Sequence, residues 1–336
     1  MKIRSLFSAG LVLAATCFVA SSATSTVKSI PVGNAPRFLT VNQITNRIYV
    51  SNLTDSTVSV IDGASDSVIA TIPVGSFPEA VDVNSVTNLI YVANLLSGTV
   101  SVIDGASNAV VATISGVVSP FGVAVNPITN QIFVSSSNGQ NYVAVIDGAT
   151  NTILTKIPVA NIPNGLTVNS TANVIYVANE ASGTVSVIDG SSDAVVNTFA
   201  LPQGAEPFLI GLDPITNRLF VTAPNYAVVY VLDASVGTLL ETITAGKVAF
   251  KSPAAAIMFK PGKTVLVSDS SLNAVIEFSE TTYSALAGLK GGNGPFGIAV
   301  NRKAGKIYVA ESGNNTVNVY SGFGATHSSR GASVHK

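Results

Sequence analysis

Ile48-Tyr49-Val50 recurs as Ile90-Tyr91-Val92, Ile132-Phe133-Val134, Ile175-Tyr176-Val177, Leu219-Phe220-Val221, Val265-Leu266-Val267 and Ile307-Tyr308-Val309. The final valines lie 42, 42, 43, 44, 46 and 42 positions apart. A fixed period in the forties, carried by short apolar strands, marks the stacking of one supersecondary unit. Seven copies fill nearly the whole 336-residue chain. The repeat specifies a scaffold, and function lives in sites placed on it.

Working outward from Ile48-Tyr49-Val50, each unit reads alike. The first begins Pro36-Arg37-Phe38-Leu39-Thr40-Val41, turns through 42–46, and runs over 47–51. It turns again at 52–55, runs over 56–61, turns at Asp62-Gly63-Ala64-Ser65-Asp66 and ends with 67–74. These are four alternating, β-branched stretches separated by Asn, Asp, Gly, Pro and Ser. Four short antiparallel strands in about 43 residues match a propeller blade. Stacked helix pairs would need a 3.6-residue apolar period, which is absent. A β-helix would need shorter repeats, and a β-sandwich would not repeat itself seven times.

The two ends argue for closure. The last unit stops after its third strand, Thr316-Val317-Asn318-Val319-Tyr320, while Val27-Lys28-Ser29-Ile30-Pro31-Val32 matches the fourth-strand segment 68–74. The strand missing at one end is the surplus at the other, and pairing them removes exposed sheet edges. The sequence therefore predicts an all-β, seven-bladed β-propeller over 24–323. It has four antiparallel strands per blade, and its N-terminal strand completes the last blade.

Met1-Lys2-Ile3-Arg4 precedes an apolar run over 6–20 and small residues to Ala23. This predicts a secretory signal peptide over 1–23, too short to span a membrane, and an exported protein in the periplasm, the medium or on the cell surface. Cys17 is the sole cysteine, so the exported part has no thiol and relies on core burial, ladders and ring closure. Without Lys2 and Arg4 the chain carries 15 basic and 18 acidic residues, a net of −3 that gives no general attraction to nucleic acid or anionic membranes. Residues 324–336, with His327 and His335, read as a flexible tail.

Among polar residues the aspartate of Val-Ile-Asp-Gly repeats most: Asp62, Asp104, Asp147 and Asp189, with Asp233 as a variant. Each ends a strand, and the first four precede Gly, so the expectation is turn capping with Gly at positive φ. Asn46, Asn88, Asn130, Asn173 and Asn217 read as hairpin closers on the face opposite the binding mouth. No His lies between residues 1 and 326, which excludes a His-based triad or acid–base pair there. There is no nucleophilic Cys, no His-Glu metal spacing and no Trp; no cofactor is expected.

Tyr-Val-Ala-Asn at 91–94 and 176–179, with the Gly-Thr-Val-Ser-Val-Ile-Asp-Gly that follows, resembles the YVTN-type β-propeller repeat family. The likeness spans about 27–320 and is clearest in the first four blades. In the sixth, Lys260-Pro261-Gly262-Lys263 and Glu277-Phe278-Ser279 replace the usual turns. Similar propellers occur in exported bacterial and archaeal surface-layer proteins, so the resemblance implies an extracytoplasmic scaffold or binding role without catalytic residues.

In a propeller the first strand lines the channel, and the loops leading into it share a face with those between second and third strands. The first set carries Arg37, Glu79, Phe121, Asn164, Phe208, Ala254 and Phe296, each after a Pro; the second carries Asn52, Asn94, Ser136, Asn179, Ala223, Asp269 and Glu311. The connection 245–253, with Lys247, Phe250 and Lys251, joins them. These positions break an otherwise regular repeat, and they read as a mixed apolar–polar recognition surface. The expected ligand-binding residues are Arg37, Glu79, Phe121, Asn164, Phe208, Phe296, Asn52, Asn94, Asn179, Asp269 and Glu311. The expected function is non-catalytic binding or scaffolding of a protein or cell-envelope component by a monomer. One alternative is a carboxylate-metal lyase or lactonase. A DNA-binding periplasmic propeller is less favoured, because Arg37, Lys247 and Lys251 are offset by Glu79, Glu180, Asp269 and Glu311.

Overall fold

Seven four-stranded antiparallel sheets are arranged around one axis. The computed structural model describes residues 26–321 apart from 245–247, 249, 261–262 and 291. The expected signal segment, the tail and Lys247 lie outside the described residues. Blade 1 contains Pro36–Asn42, Arg47–Asn52, Thr57–Asp62 and Ser67–Pro73, in that order from the axis outward. Blades 2 to 6 repeat this order. Blade 7 takes its outermost strand, Thr26–Pro31, from the N-terminal side, paired with Thr316–Ser321 in the order expected.

The Ile-Tyr-Val signature is explained by what its alternation faces. Ile48 and Val50 join Tyr308 and Ala310 of blade 7 in one core cluster, while Tyr49 joins Ile90 and Val92 of blade 2 in another. Tyr91 meets Ile132 and Val134, Phe133 meets Ile175 and Val177, and Tyr176 meets Leu219 and Val221. Phe220 and Leu266 repeat the pattern with blades 6 and 7. Each strand thus sends its aromatic into one inter-blade core and its aliphatics into the other. The core consists of these interfaces, and none belongs to one blade.

Turn chemistry holds the face bearing the hairpins between first and second strands, here called the lower face. Asp62 Oδ1 accepts the N–H groups of Ala64 and Ser65, and Asp104, Asp147 and Asp189 repeat the motif. The following Gly differs from expectation. Positive φ falls at the fifth turn residue, Asp66, Asn108, Asn151 or Asp193, and none of Gly63, Gly105, Gly148 and Gly190 has it. The glycines are required by space, since a Cβ on Gly63 would stand 2.4 Å from Asn46 Oδ1.

The hairpin asparagines hold left-handed backbone, as at Asn88 with φ 59, and also link blades. Asn42 donates Nδ2 to Asn88 Oδ1 at 2.8 Å, and Asn84 and Asn126 bond Asn130 and Asn173 in the same way. Asn301 closes the series back to Asn46 at 2.6 Å. Asn88→Gly keeps the backbone and loses the amide, which should cost about 1 kcal/mol. Asn88→Ala adds the left-handed penalty, for about 2–3 kcal/mol. Urea denaturation of both variants separates the two contributions.

Candidate functional site

The upper face receives the loops that lead into the inner strands. In blades 1, 2, 3, 4, 6 and 7 the register shifts just after the opening proline, as between Pro36 and Leu39. A bulge of this kind re-aims side chains, and the residue that follows each proline sits in it. Gly122, Gly165 and Gly297 follow in three bulges, where a Cβ would stand about 2.5–2.6 Å from the neighbouring blade.

The bulges of blades 1, 3 and 7 turn Phe38, Phe121 and Phe296 toward the axis, where they meet Phe208, which precedes the blade 5 ladder. Phe38 meets Phe296 at 5.2 Å and Phe121 at 6.2 Å between ring centroids; Phe208 meets Phe121 at 5.6 Å and Phe296 at 6.1 Å. All four contacts are edge-to-face, the favoured geometry for aromatic pairs. The result is a closed four-membered ring across the upper mouth, packed on Leu209 and Ala254. Phe121 and Phe296 are buried, while Phe38 and Phe208 remain half-buried. Phe38 was missed in the sequence because it follows the variable position rather than occupying it.

Charge decorates this plug. The Arg37 guanidinium lies 3.6 Å from the Phe296 ring centroid, and its Nε stands 3.2 Å from Glu79 Oε2. Burial pushes the Glu79 carboxyl up, and Arg37 draws it back. Asn164 Nδ2 donates to Glu180 Oε2.

The remaining expected site residues share this end of the molecule but lie beneath it. Asn52, Asn94 and Asn179 are fully buried. Each donates to two hydroxyls of the adjoining strand: Asn52 to Thr57 and Ser59, Asn94 to Thr99 and Ser101, Asn179 to Thr184 and Ser186. Asp269 accepts the N–H groups of Lys251, Ser252, Ser271 and Leu272, which fixes two loops. Phe250 is buried with Phe220 and Phe278 in the core between blades 5 and 6, away from the mouth. The outward-facing members are therefore Arg37, Phe208, Phe38 and Glu180.

Glu311 is buried, with Oε1 accepting from Asn318 Nδ2 at 3.2 Å and Oε2 without a partner. Asn318 Oδ1 in turn accepts from Ser29 on the closing strand. Desolvation raises the carboxyl to about 7 from an ordinary 4.5, against the lowering effect of its hydrogen bonds. Below pH 4.5 both folded and unfolded chains hold the proton. Between 4.5 and 7 only the folded chain does, so this group's contribution to stability falls as pH rises through that window. From pH 5 to pH 8 the wild type should lose about 1–2 kcal/mol more than Glu311→Gln, a discounted figure for one buried carboxyl. Denaturant midpoints at the two pH values measure it.

Backbone strain distinguishes the faces. Left-handed non-glycine positions on the lower face are Asn or Asp, which tolerate that conformation, with Tyr283 in the outer turn of blade 6 as the exception. On the upper face they fall before the third strands, as at Ser56 and Asn141, and just before the opening proline, where they include Ala35, Phe77, Ser119 and Ile162 with φ between 44° and 61°. A bulky or β-branched residue there is a real outlier, and such strain gathers at functional sites.

With this geometry the comparisons agree. A family model for YNCE-like β-propellers matches residues 8–322. The chain belongs to the YNCE-like β-propeller family. Among solved structures, Kuenenia stuttgartiensis hydrazine synthase superposes with a TM-score of 0.78 at 17% identity, over 86% of this chain and 96% of that one. At that identity the likeness is one of fold. Among curated proteins none matches the chain. Among the described residues no helix is long and apolar enough to cross a membrane, and no three His, Cys, Asp or Glu side chains converge on a possible metal position.

Proposed function

We propose that this YNCE-like propeller is an exported, non-catalytic binding protein with YVTN-type repeats. Its upper face docks a protein or cell-envelope partner. The observation that carries the reading is the coincidence of sequence variation with strained backbone, which concentrates on that face. Ala35, Phe77, Ser119 and Ile162 hold left-handed conformations that the lower face, Tyr283 apart, gives to Asn, Asp or Gly. Support comes from what stands at its centre, an arginine stacked on an aromatic cluster with Phe38 and Phe208 half-exposed. Arg and aromatic side chains near the middle of an interface commonly supply most of its energy. Since the plug fills the mouth, the surface suits a macromolecule better than a small molecule.

The test is capture from the native envelope fraction, with Arg37→Glu and Phe208→Ala on the upper face and Val86→Ser and Ile128→Ser on the lower face as controls. The upper changes should weaken binding by about 2 kcal/mol each, and the controls should leave it unchanged. The captured protein should begin between Ser22 and Val27. Loss of the partner with the lower set alone, at equal folded fraction, would assign the wrong face.

A further inference from the structure

Below the phenylalanine ring the axis is hollow. An upper compartment of about 150 Å³ is lined by Phe38, Leu39, Val81, Val123, Leu166 and Ile210, among others. A lower one of about 360 Å³ shares Leu39, Val81 and Val123 with it, and its lining extends to Gln43 and Arg302 at the lower hairpins. The inner strands are sheet edges, so their outward N–H and C=O groups face this space and call for partners. Side chains meet several of them: Gln43 Nε2 donates to Val300 O at 2.7 Å and Arg302 Nη2 to Met258 O at 2.7 Å.

The lower compartment has two charged residues in its lining, Asp82 and Arg302. Asp82 Oδ1 accepts from Thr40 Oγ1 at 3.2 Å and from its neighbour Val83 N–H at 2.8 Å; Oδ2 accepts from Val125 N–H at 2.9 Å. One acceptor direction on Oδ2 stays open, since a carboxylate offers about four. No described Lys or Arg pairs with Asp82. At the equivalent position the other inner strands carry Thr40, Ala124, Thr167, Gly211, Ile257 and Ala299. Stapling adjacent inner strands therefore does not demand a carboxylate, because none of the six equivalents has one and four of them have no side-chain acceptor at all. Burial raises the carboxyl to about 6, which leaves it mainly ionised at neutral pH and without a counter-charge in a low-dielectric channel. Arg302 keeps donors beyond the one on Met258 O; burial pushes its guanidinium down from the ordinary value, and the Asp213 charge draws it back.

Blade 1 links the two groups. Thr40 bonds Asp82, and Gln43 accepts from the Arg302 N–H at 3.1 Å. Gln43 lies three positions after Thr40, just past the strand end, a span of at most about 10 Å, and side-chain reach shortens it. Between them the wall is Leu39, Val41, Val81, Val123, Ile257 and Ile298.

We propose that the channel, entered from the lower face, binds a small aliphatic ω-amino acid, its ammonium on Asp82, its carboxylate on Arg302 and its methylenes along the apolar wall. The site lies on the other side of the phenylalanine ring from the docking face and does not depend on it. The probes are 6-aminohexanoate, hexylammonium and hexanoate, followed by calorimetry on the full exported chain. The zwitterion should bind at least tenfold more tightly than either single-ended analogue. Asp82→Asn should weaken it about thirtyfold and Arg302→Gln about tenfold. Wild-type affinity should rise about tenfold from pH 5 to pH 7.5 as Asp82 ionises. Asp213 lies by Arg302, and Glu280, raised to about 7 by burial, lies by Asp213 and Arg218. The same series on Asp82→Asn separates the Glu280 titration, and a rise that persists there overturns the assignment to Asp82. Should Asp82→Asn not fold, the exposed Arg302→Gln and the wild-type pH series still decide. Absence of millimolar binding, equal affinity for all three probes, or a pH-independent affinity each overturns the proposal.

Discussion

Phe296→Ala should destabilise the protein by about 3–4 kcal/mol, the range for removing a buried phenylalanine and leaving a cavity. The ring is 9% exposed and sits edge-to-face with Phe38 and Phe208 beneath the Arg37 guanidinium. Truncation removes two aromatic contacts and the stacking partner of a cation at once. The inner strands cannot close over the gap, because Gly297 already places its backbone where a Cβ would stand 2.6 Å from Arg37 O. Phe208→Ala, at a half-buried ring, should cost about half as much. Phe121 and Phe296 both pack against Phe38 and Phe208, so the double alanine variant should be non-additive by about 0.5 kcal/mol or more, on the order seen for coupled neighbours. Denaturant unfolding with native-state activity-free probes such as near-ultraviolet dichroism reads all three. A loss under about 1 kcal/mol for Phe296→Ala would mean that the ring is a surface ornament and not a plug.

The blade count and closure were legible because they rest on period and strand complementarity, both linear properties of the chain. Val-Ile-Asp-Gly and the hairpin asparagines were legible as turns for the same reason. What the glycine does was not: its neighbour is Asn46, 17 residues away, and only the folded hairpins bring Asn46 Oδ1 within 2.4 Å of the missing Cβ. The inter-blade amide links escaped likewise, since Asn42 and Asn88 belong to different repeats.

At the site, the repeat identified the right end of the molecule but not which side chains face out. Asn52 and Arg37 both mark that end and both depart from simple strand chemistry. One is fully buried against Thr57 and Ser59, the other lies over an aromatic ring. Arg37 sits in the bulge after Pro36, which no local propensity encodes, while Asn52 ends a regularly paired strand. Asp82 escaped for the opposite reason: within its strand it is one of three polar residues with Glu79 and Asn84, and its place in the channel emerges only when seven strands surround it.

Deleting residues 24–33 should cost more than any point change, at about 5 kcal/mol or above by burial and hydrogen-bond arithmetic. The strand Thr26–Pro31 pairs along its whole length with Thr316–Ser321. Ile30 is 3% exposed in the cluster with Ile48, Val50, Tyr308 and Val317. Lys28 Nζ reaches Ser65 O at 2.9 Å, and Val32 N–H bonds Asn315 O at 3.0 Å, so the segment also ties blade 7 to blade 1. Without it, Val317 and Val319 stand at an open edge, a template for strand addition by another chain. The truncated protein should melt lower, and its aggregation should rise with concentration. A synthetic peptide of residues 24–33 added in trans should recover part of the melting temperature, since the edge it fits is preformed by three strands. Recovery by the peptide but not by an Ile30→Asp version would attribute the effect to the apolar contact within the ladder. Unchanged melting and solubility after the deletion would show that the ring is held closed by the six other interfaces, with the N-terminal strand only lying against it.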